Sequence, residues 1–277
     1  MTSPDFLIIG SQKSGSTWLA RNIGQHPKVF LYKKEIHFFD KDENYSKGIE
    51  WYSSHFSNLS KEILIGEKTP DYFDSDLSRQ RIASNLPEAK LIIVLRDPIQ
   101  RAISAVNHYK NNGELSPCIN LDNLFEGILN EKPKNILLED KFGFLRKGYY
   151  FQHLKKYLES FSPDQLLILI YEKDIVQKPH EGLKKVCDFL QCDYEYDFFA
   201  PKISKYINRQ RKSFLRLFFD FYSPRTKKIN EKLVLFFPGK PLRKSLNNNT
   251  LSLLNAHYVS HNQELFNHIA NDFNPWI

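Results

Sequence analysis

Polar and apolar positions along the chain alternate in blocks. Short apolar runs, FLIIG at 6–10, EILIGEK at 62–68, LIIVLRD at 91–97 and LLILIYEKD at 166–174, alternate with longer segments whose apolar positions recur every three or four residues. An apolar run with little polar interruption fits a strand covered on both faces, and the longer spacing fits a helix with one buried stripe. The pattern predicts helices over about residues 17–25, 78–85, 98–109, 149–160 and 179–190. Strand and helix in turn predict an α/β fold with a mostly parallel central sheet flanked by helices, whose ligands bind beyond the carboxyl ends of the strands.

Past residue 200 the pattern changes. Segment 203–225 is basic and aromatic, with Phe214, Leu217, Phe218 and Phe221 at helical spacing; 236–249, with FFPGKP and NNN, reads as a loop; 250–276 is helical again and ends on an aromatic anchor, Trp276. With no internal repeat and no compositional break, the expectation is one domain over 1–277.

Composition narrows the class. Hydrophobic residues make up 41% and charged residues 26% of the 277, which fits a folded globular chain. No apolar run approaches the ~20 residues that cross a bilayer, so no integral membrane segment is expected. The chain passes from Met1 almost directly into the first strand without a basic, then apolar leader. Its three cysteines, Cys118, Cys187 and Cys192, are too few and too scattered for a disulfide framework or a metal site. Cytoplasmic residence, reduced thiols and no metal are the expectations. A net charge of +7 calls for an anionic ligand. The basic residues are dispersed except around 202–216 and follow no recognition-helix or zinc-finger pattern, so a nucleotide or acidic glycan is expected rather than nucleic acid. The pattern carries no signature of an oligomeric state.

The candidate chemistry begins at FLIIGSQKSGSTWLARNI, a strand, a glycine-bounded loop and a helix start in succession. Such a turn aims backbone N–H groups and the positive helix end at one point, where a phosphate fits. Gly10 and Gly15 are expected to supply positive-φ turns, and Ser16 and Thr17 hydroxyl donors and a helix N-cap. A nucleoside-triphosphate loop places lysine directly after its second glycine; here Ser16 stands there, and the lysine, Lys13, lies within the loop. From there it can reach a bridging oxygen between a 5′-phosphate and a transferable group. A plain glycine turn with a solvated lysine, and Trp18 as a core residue, are the structural alternatives.

The segment KSGSTW resembles the 5′-phosphosulfate loop of sulfotransferases that use 3′-phosphoadenosine 5′-phosphosulfate (PAPS). The resemblance implies that Lys13 stabilises the leaving phosphate, that Ser16 and Thr17 hold the 5′-phosphate with Gly10, Gln12, Ser14 and Gly15 around it, and that Trp18 stacks on adenine. In LIIVLRDPIQRAISAVNHY, Arg96 ends a strand and Ser104 lies two turns along the next helix. These two fall on the family's 3′-phosphate positions, although Arg96 alone could pair with Asp97. An arginine fork suits a terminal phosphate.

KKEIHFFD at 33–40 and EKTPDYF at 67–73, with Trp51 and Tyr52 between them, resemble elements of the heparan sulfate and glycosaminoglycan branch. That branch implies Glu35 as general base, Lys68 beside Lys13 as cationic stabiliser, and Lys34, Glu35, His37, Asp40, Lys68 and Tyr72 as acceptor contacts. His37 is the rival base, because cytosolic sulfotransferases, which share the Lys13 loop, use histidine. Tyr171 is expected at the adenine. Ser204, Arg209 and Arg211 in KISKYINRQRK are candidates for a nucleotide-covering loop, although their spacing departs from the family pattern. The late paired cysteines of the glycosaminoglycan enzymes have no counterpart after Cys192. The expected reaction is in-line sulfuryl transfer from PAPS, releasing PAP without a metal, to a hydroxyl or less readily an amine of a saccharide or small metabolite. The alternatives are a P-loop nucleotide kinase and a non-catalytic basic module that binds nucleotide or glycan.

Overall fold

A computed structural model describes residues 2–57, 63–194, 221, 246–269 and 276. These residues form two compact units, 2–97 with 150–206 and 98–149 with 207–277, so far as each range is described.

The first unit is built on five parallel strands: β1 (Phe6–Gly10), β2 (Val29–Leu31), β3 (Leu64–Lys68), β4 (Lys90–Leu95) and β5 (Leu166–Ile170), in the order β2-β3-β1-β4-β5. Every neighbouring pair is parallel. The unbroken apolar runs follow from this, since β1 and β4 are covered on both faces and Leu91 to Leu95 are all fully buried. Phe6, Ile8, Ile92, Val94 and Leu169 join one core with helices α1 (Ser16–Ile23) and, much later in the chain, Pro179–Leu190. Successive strand residues point to opposite faces, so Leu7, Ile9, Leu91 and Ile93 serve the other side.

Between β2 and β3 lie two short helices, α2 (Asp42–Tyr45) and α3 (Gly48–Ser53), and after β3 comes α4 (Asp76–Asn85), capped by the Ser75 side chain. The second unit carries α5 (Pro98–Asn112), α6 (Leu121–Leu129) and α7 (Pro133–Phe142). The first unit resumes with α8 (Tyr150–Leu158), β5 and α9 (Pro179–Leu190), and α10 (Asn248–His268) returns to the second. The core of the second unit joins Ile99, Ala102 and Val106 of α5 to Leu124 and Phe125 of α6, Phe142 of α7, and Leu254 and Tyr258 of α10.

Two expected boundaries move. The last strand stops at Ile170 rather than Asp174, and Tyr171–Gln177 coil into a π-helical turn. The cause is Asp174, which is buried, accepts the Ile170 N–H at 2.7 Å and pairs with Lys185 at 2.6 Å. The asparagine run, read as loop, starts a helix instead: Asn247 is its N-cap and accepts the Thr250 N–H at 2.7 Å. The predicted helix over 203–225 and the loop over 236–245 fall outside the described residues, Phe221 excepted. Among the described residues, no helix is long and apolar enough to cross a membrane.

Candidate active site

Parallel strands bring their carboxyl ends to one edge of the sheet, and each end delivers a different functional group. Gly10 ends β1 and opens the loop to α1; the chain leaving β2 at Leu31 runs directly into Lys33 to Asp40; Lys68 ends β3; Arg96 follows β4; Tyr171 follows β5. The register fixes their relative heights, with Ile8 opposite Lys68, Gly10 opposite Ile93 and Leu95 opposite Ile170.

The first loop is tied down on both sides. The Ser11 N–H donates to the Val94 carbonyl at 2.8 Å, the Phe73 N–H to the Ile9 carbonyl at 3.0 Å, and Gln12 to Asp71 at 3.0 Å. Its left-handed residues are Lys13, with φ 70°, and Gly15, with φ 102°. Gly10 is not one of them; it is glycine because a Cβ there would stand 2.5 Å from that of Phe73. Gly15 is the N-cap of α1, no side chain caps that helix, and no acidic residue lies in its first turn. Its first N–H groups and positive end are therefore open to an anion, although neither Ser16 nor Thr17 is the expected cap. Ser14 turns inward, fully buried, with its hydroxyl 2.6 Å from that of Ser11. Trp18 is half-buried and packs against the first unit's core.

Arg96 Nη1 donates to the Lys13 carbonyl at 3.2 Å, and its guanidinium lies 4.7 Å from the centre of the Tyr171 ring. The Arg96 Nε is buried with no acceptor. The same tyrosine faces Gly15, where a Cβ would come within 2.8 Å of the ring. Tyr171 is thus a wall shared by the loop and the arginine. Ser104 lies half-buried on α5, in the second unit. Ser204, Arg209 and Arg211 lie outside the described residues.

On the other side of the loop, Lys68 donates to Glu35 and lies 3.4 Å from the Thr17 hydroxyl. Glu35 also faces His37, whose Nε2 is 3.5 Å away, while His37 Nδ1 is bonded to Asp40 at 2.7 Å. His37 has φ 53°, so the chain turns sharply between Glu35 and the buried pair Phe38 and Phe39. Burial works to raise the Glu35 pKa, but the bonds from His37 and Lys68 outweigh it and bring the carboxyl from 4.5 down to about 2. The Asp40 bond, then the Glu35 bond, lift His37 from 6.5 to about 9. At neutral pH the set is a carboxylate between two cations. Ligand atoms of Glu35, His37 and Asp71 fall within 4.8 Å of one another, and a metal there would have to displace the proton that His37 holds between Glu35 and Asp40. Lys34 is exposed beside this set.

Tyr72 departs from the expected acceptor contact. It is fully buried, and its hydroxyl donates inward to Glu67 at 2.9 Å. Sequence reasoning passed over Glu67, which is fully buried and also accepts from Tyr52 and Thr69, each at 2.6 Å. A carboxylate in an apolar strand, with hydroxyl residues two and five positions later, was the signal.

Residues 3–224 match the family described as "Sulfotransferase domain". The chain is similar to the membrane-associated sulfotransferase kil1 of Dictyostelium discoideum, 28% identical, over 83% of this chain and 64% of that protein. It is 32% identical to mouse (Mus musculus) heparan sulfate glucosamine 3-O-sulfotransferase 5, over 73% of this chain and 56% of that protein. The chain thus spans less than two thirds of either relative's length. The crystal structure of a sulfotransferase from Alicyclobacillus acidocaldarius shares the fold, with a TM-score of 0.71 at 20% identity, over 100% of this chain and 99% of that one.

Proposed function

The chain belongs to the sulfotransferase family, and from that membership we propose that it moves the sulfuryl group of PAPS to a hydroxyl of a saccharide or small metabolite, with Glu35 as general base. The observation that carries the reading is the place of Lys68, whose ammonium bonds Glu35 and lies 3.4 Å from Thr17 at the head of the donor loop. Base and anion cradle meet at one cation. A kinase reading lacks such support, since no lysine follows Gly15.

The residues present fit the donor. The open N-terminus of α1 suits a 5′-phosphate, and the unsatisfied Arg96 Nε suits a further phosphate oxygen. PAPS supplies a sulfuryl group on its 5′-phosphate and an anionic 3′-phosphate. In this reading Lys13, Ser16 and Thr17 take the 5′ side, Arg96 and Ser104 the 3′-phosphate, and Trp18 and Tyr171 border the adenine. Ser204, Arg209 and Arg211, which lie outside the described residues, are the candidates for covering the nucleotide, and Lys34 meets the acceptor.

Glu35 takes the hydroxyl proton as the acceptor oxygen bonds sulfur and the bond from sulfur to the bridging oxygen breaks. The departing phosphate oxygen gains charge, which Lys13 and Lys68 are placed to hold. A general base contributes ~10²–10⁴-fold. His37 is the weaker candidate because its two nitrogens both face carboxylates and hold protons up to about pH 9. Lys68 also governs how basic Glu35 is: drawn toward sulfate or phosphate oxygens, it loosens its hold on the carboxylate, whose pKa then rises from about 2.

Two features favour a saccharide hydroxyl as acceptor: the KKEIHFFD and EKTPDYF elements, and relatives named for action on heparan sulfate glucosamine. We extend the reading to one sulfotransferase domain over residues 1–277, of which the family match covers 3–224, and to the cytoplasm, in keeping with three free cysteines. The test is incubation with ³⁵S-labelled PAPS and a panel of N-acetylglucosamine-containing oligosaccharides, phenols and amines, with ATP–Mg²⁺ as a separate donor. Labelled sulfate on an oligosaccharide with release of PAP is expected. Phosphate transfer from ATP without sulfate transfer would refute the reading.

A further inference from the structure

Glu67 is a buried carboxyl that pairs with no cation among the described residues. It is fully enclosed at the end of β3 and accepts from three hydroxyls: Tyr52 of α3 on one oxygen, Thr69 and Tyr72 on the other. Such a charge is costly to bury, and burial accordingly raises its pKa against the pull of the three hydrogen bonds. Those hydroxyls direct their protons at Glu67, which leaves the Tyr72 oxygen free to accept. It takes the Phe38 N–H at 3.0 Å and the Phe39 N–H at 3.5 Å. Those two residues follow His37, at the sharp left-handed turn behind Glu35. The chain of contacts therefore runs from Glu67 through Tyr72 to the backbone of the loop that carries the base, while Lys68, next to Glu67, holds the base carboxylate itself.

We propose that Glu67 and Tyr72 are positioning residues that set the register of the 35–40 loop against Lys68, so that Glu35 lies where an acceptor proton is removed. This rests on the sulfotransferase reading and names a device within it. Neither side chain touches substrate, since both are fully buried. What they help to fix is a strained turn: His37 is not glycine, yet has φ 53°, and the bond to Asp40 and those from Asn44 to the Ile36 and His37 carbonyls hold it from its other side. Orienting through backbone N–H groups suits the task, because misplacing a reacting group by about 1 Å can cost ~10²-fold in rate.

The test compares Tyr72→Phe, which keeps the ring and loses the hydroxyl, Glu67→Gln, and, as a stability control, Val186→Ala, a truncation at a fully buried position of α9 in the first unit's core. Turnover of PAPS, the KM for PAPS, calorimetric PAP affinity and Tm are measured for each. Tyr72→Phe and Glu67→Gln are expected to lose about 10-fold or more in kcat with KM for PAPS and PAP affinity close to wild type. Their acid limb should move upward as Glu35 escapes its cationic neighbours. Val186→Ala should lose Tm and keep kcat. The double variant should fall no further than the worse single, because both break one chain of bonds. Wild-type kcat in Tyr72→Phe, or kcat that follows Tm across all three, overturns the positioning role while the functional reading stands. A wild-type chain that does not turn over PAPS overturns both.

Discussion

At the Glu35 carboxylate two cations compete for one charge, and the protonation of His37 decides which residue can act as base. His37 is lifted from 6.5 to about 9 and Glu35 lowered from 4.5 to about 2. The stabilisation that His37 contributes is therefore complete below pH 6.5 and lost as pH rises through about 9, and that of Glu35 is present above pH 4.5 and lost as pH falls through about 2. The same signs apply to the rate. With Glu35 as base, kcat/KM for PAPS turnover is level across neutrality and falls above about pH 9, when His37 loses the proton that orients it. With His37 as base, the rate would instead climb toward about pH 9. A pH–rate profile of the wild-type chain separates the two. Glu35 and His37 were legible in the sequence as rivals. The resemblance put Glu35 first; the physical ground for that order was not legible, because it depends on Asp40 at 2.7 Å and on a lysine from another strand.

Among elements, the turn from β1 into α1 is the most constrained. Gly15 has φ 102° and faces the Tyr171 ring, where a Cβ would come within 2.8 Å. Gly15→Ala must strain the backbone and push Tyr171, and through it Arg96, off the loop. Expected are a loss of about 1–3 kcal/mol in stability by urea unfolding and weaker PAP binding by calorimetry. Unchanged values for both would remove Tyr171 as the wall of the site. The strands were readable because burial on both faces leaves an uninterrupted apolar signal, and α9 begins and ends at the predicted residues. The three-residue β2 and the short α2 and α3 carry too few residues for a period. The asparagine run was misread because asparagine serves both loops and N-caps.

Across the whole molecule, the donor side is more legible in the sequence than the acceptor side. Lys13, Gly15 and Arg96 follow strand ends that local patterns locate, whereas the supports of the base come from two separate segments, Tyr52 on α3 and Glu67 with Tyr72 around the end of β3, that only the fold assembles. Tyr72 was taken for an acceptor contact for that reason; a motif locates a residue without saying which way its side chain turns. The central claim is that Lys13 and its loop serve sulfuryl transfer from PAPS. Single-turnover transfer of ³⁵S-sulfate from PAPS, in wild type and Lys13→Ala with PAP binding followed in parallel, tests it most directly. A loss of about 10²–10³-fold in rate, with PAP still bound, is the expected result; transfer by Lys13→Ala at the wild-type rate would contradict the account.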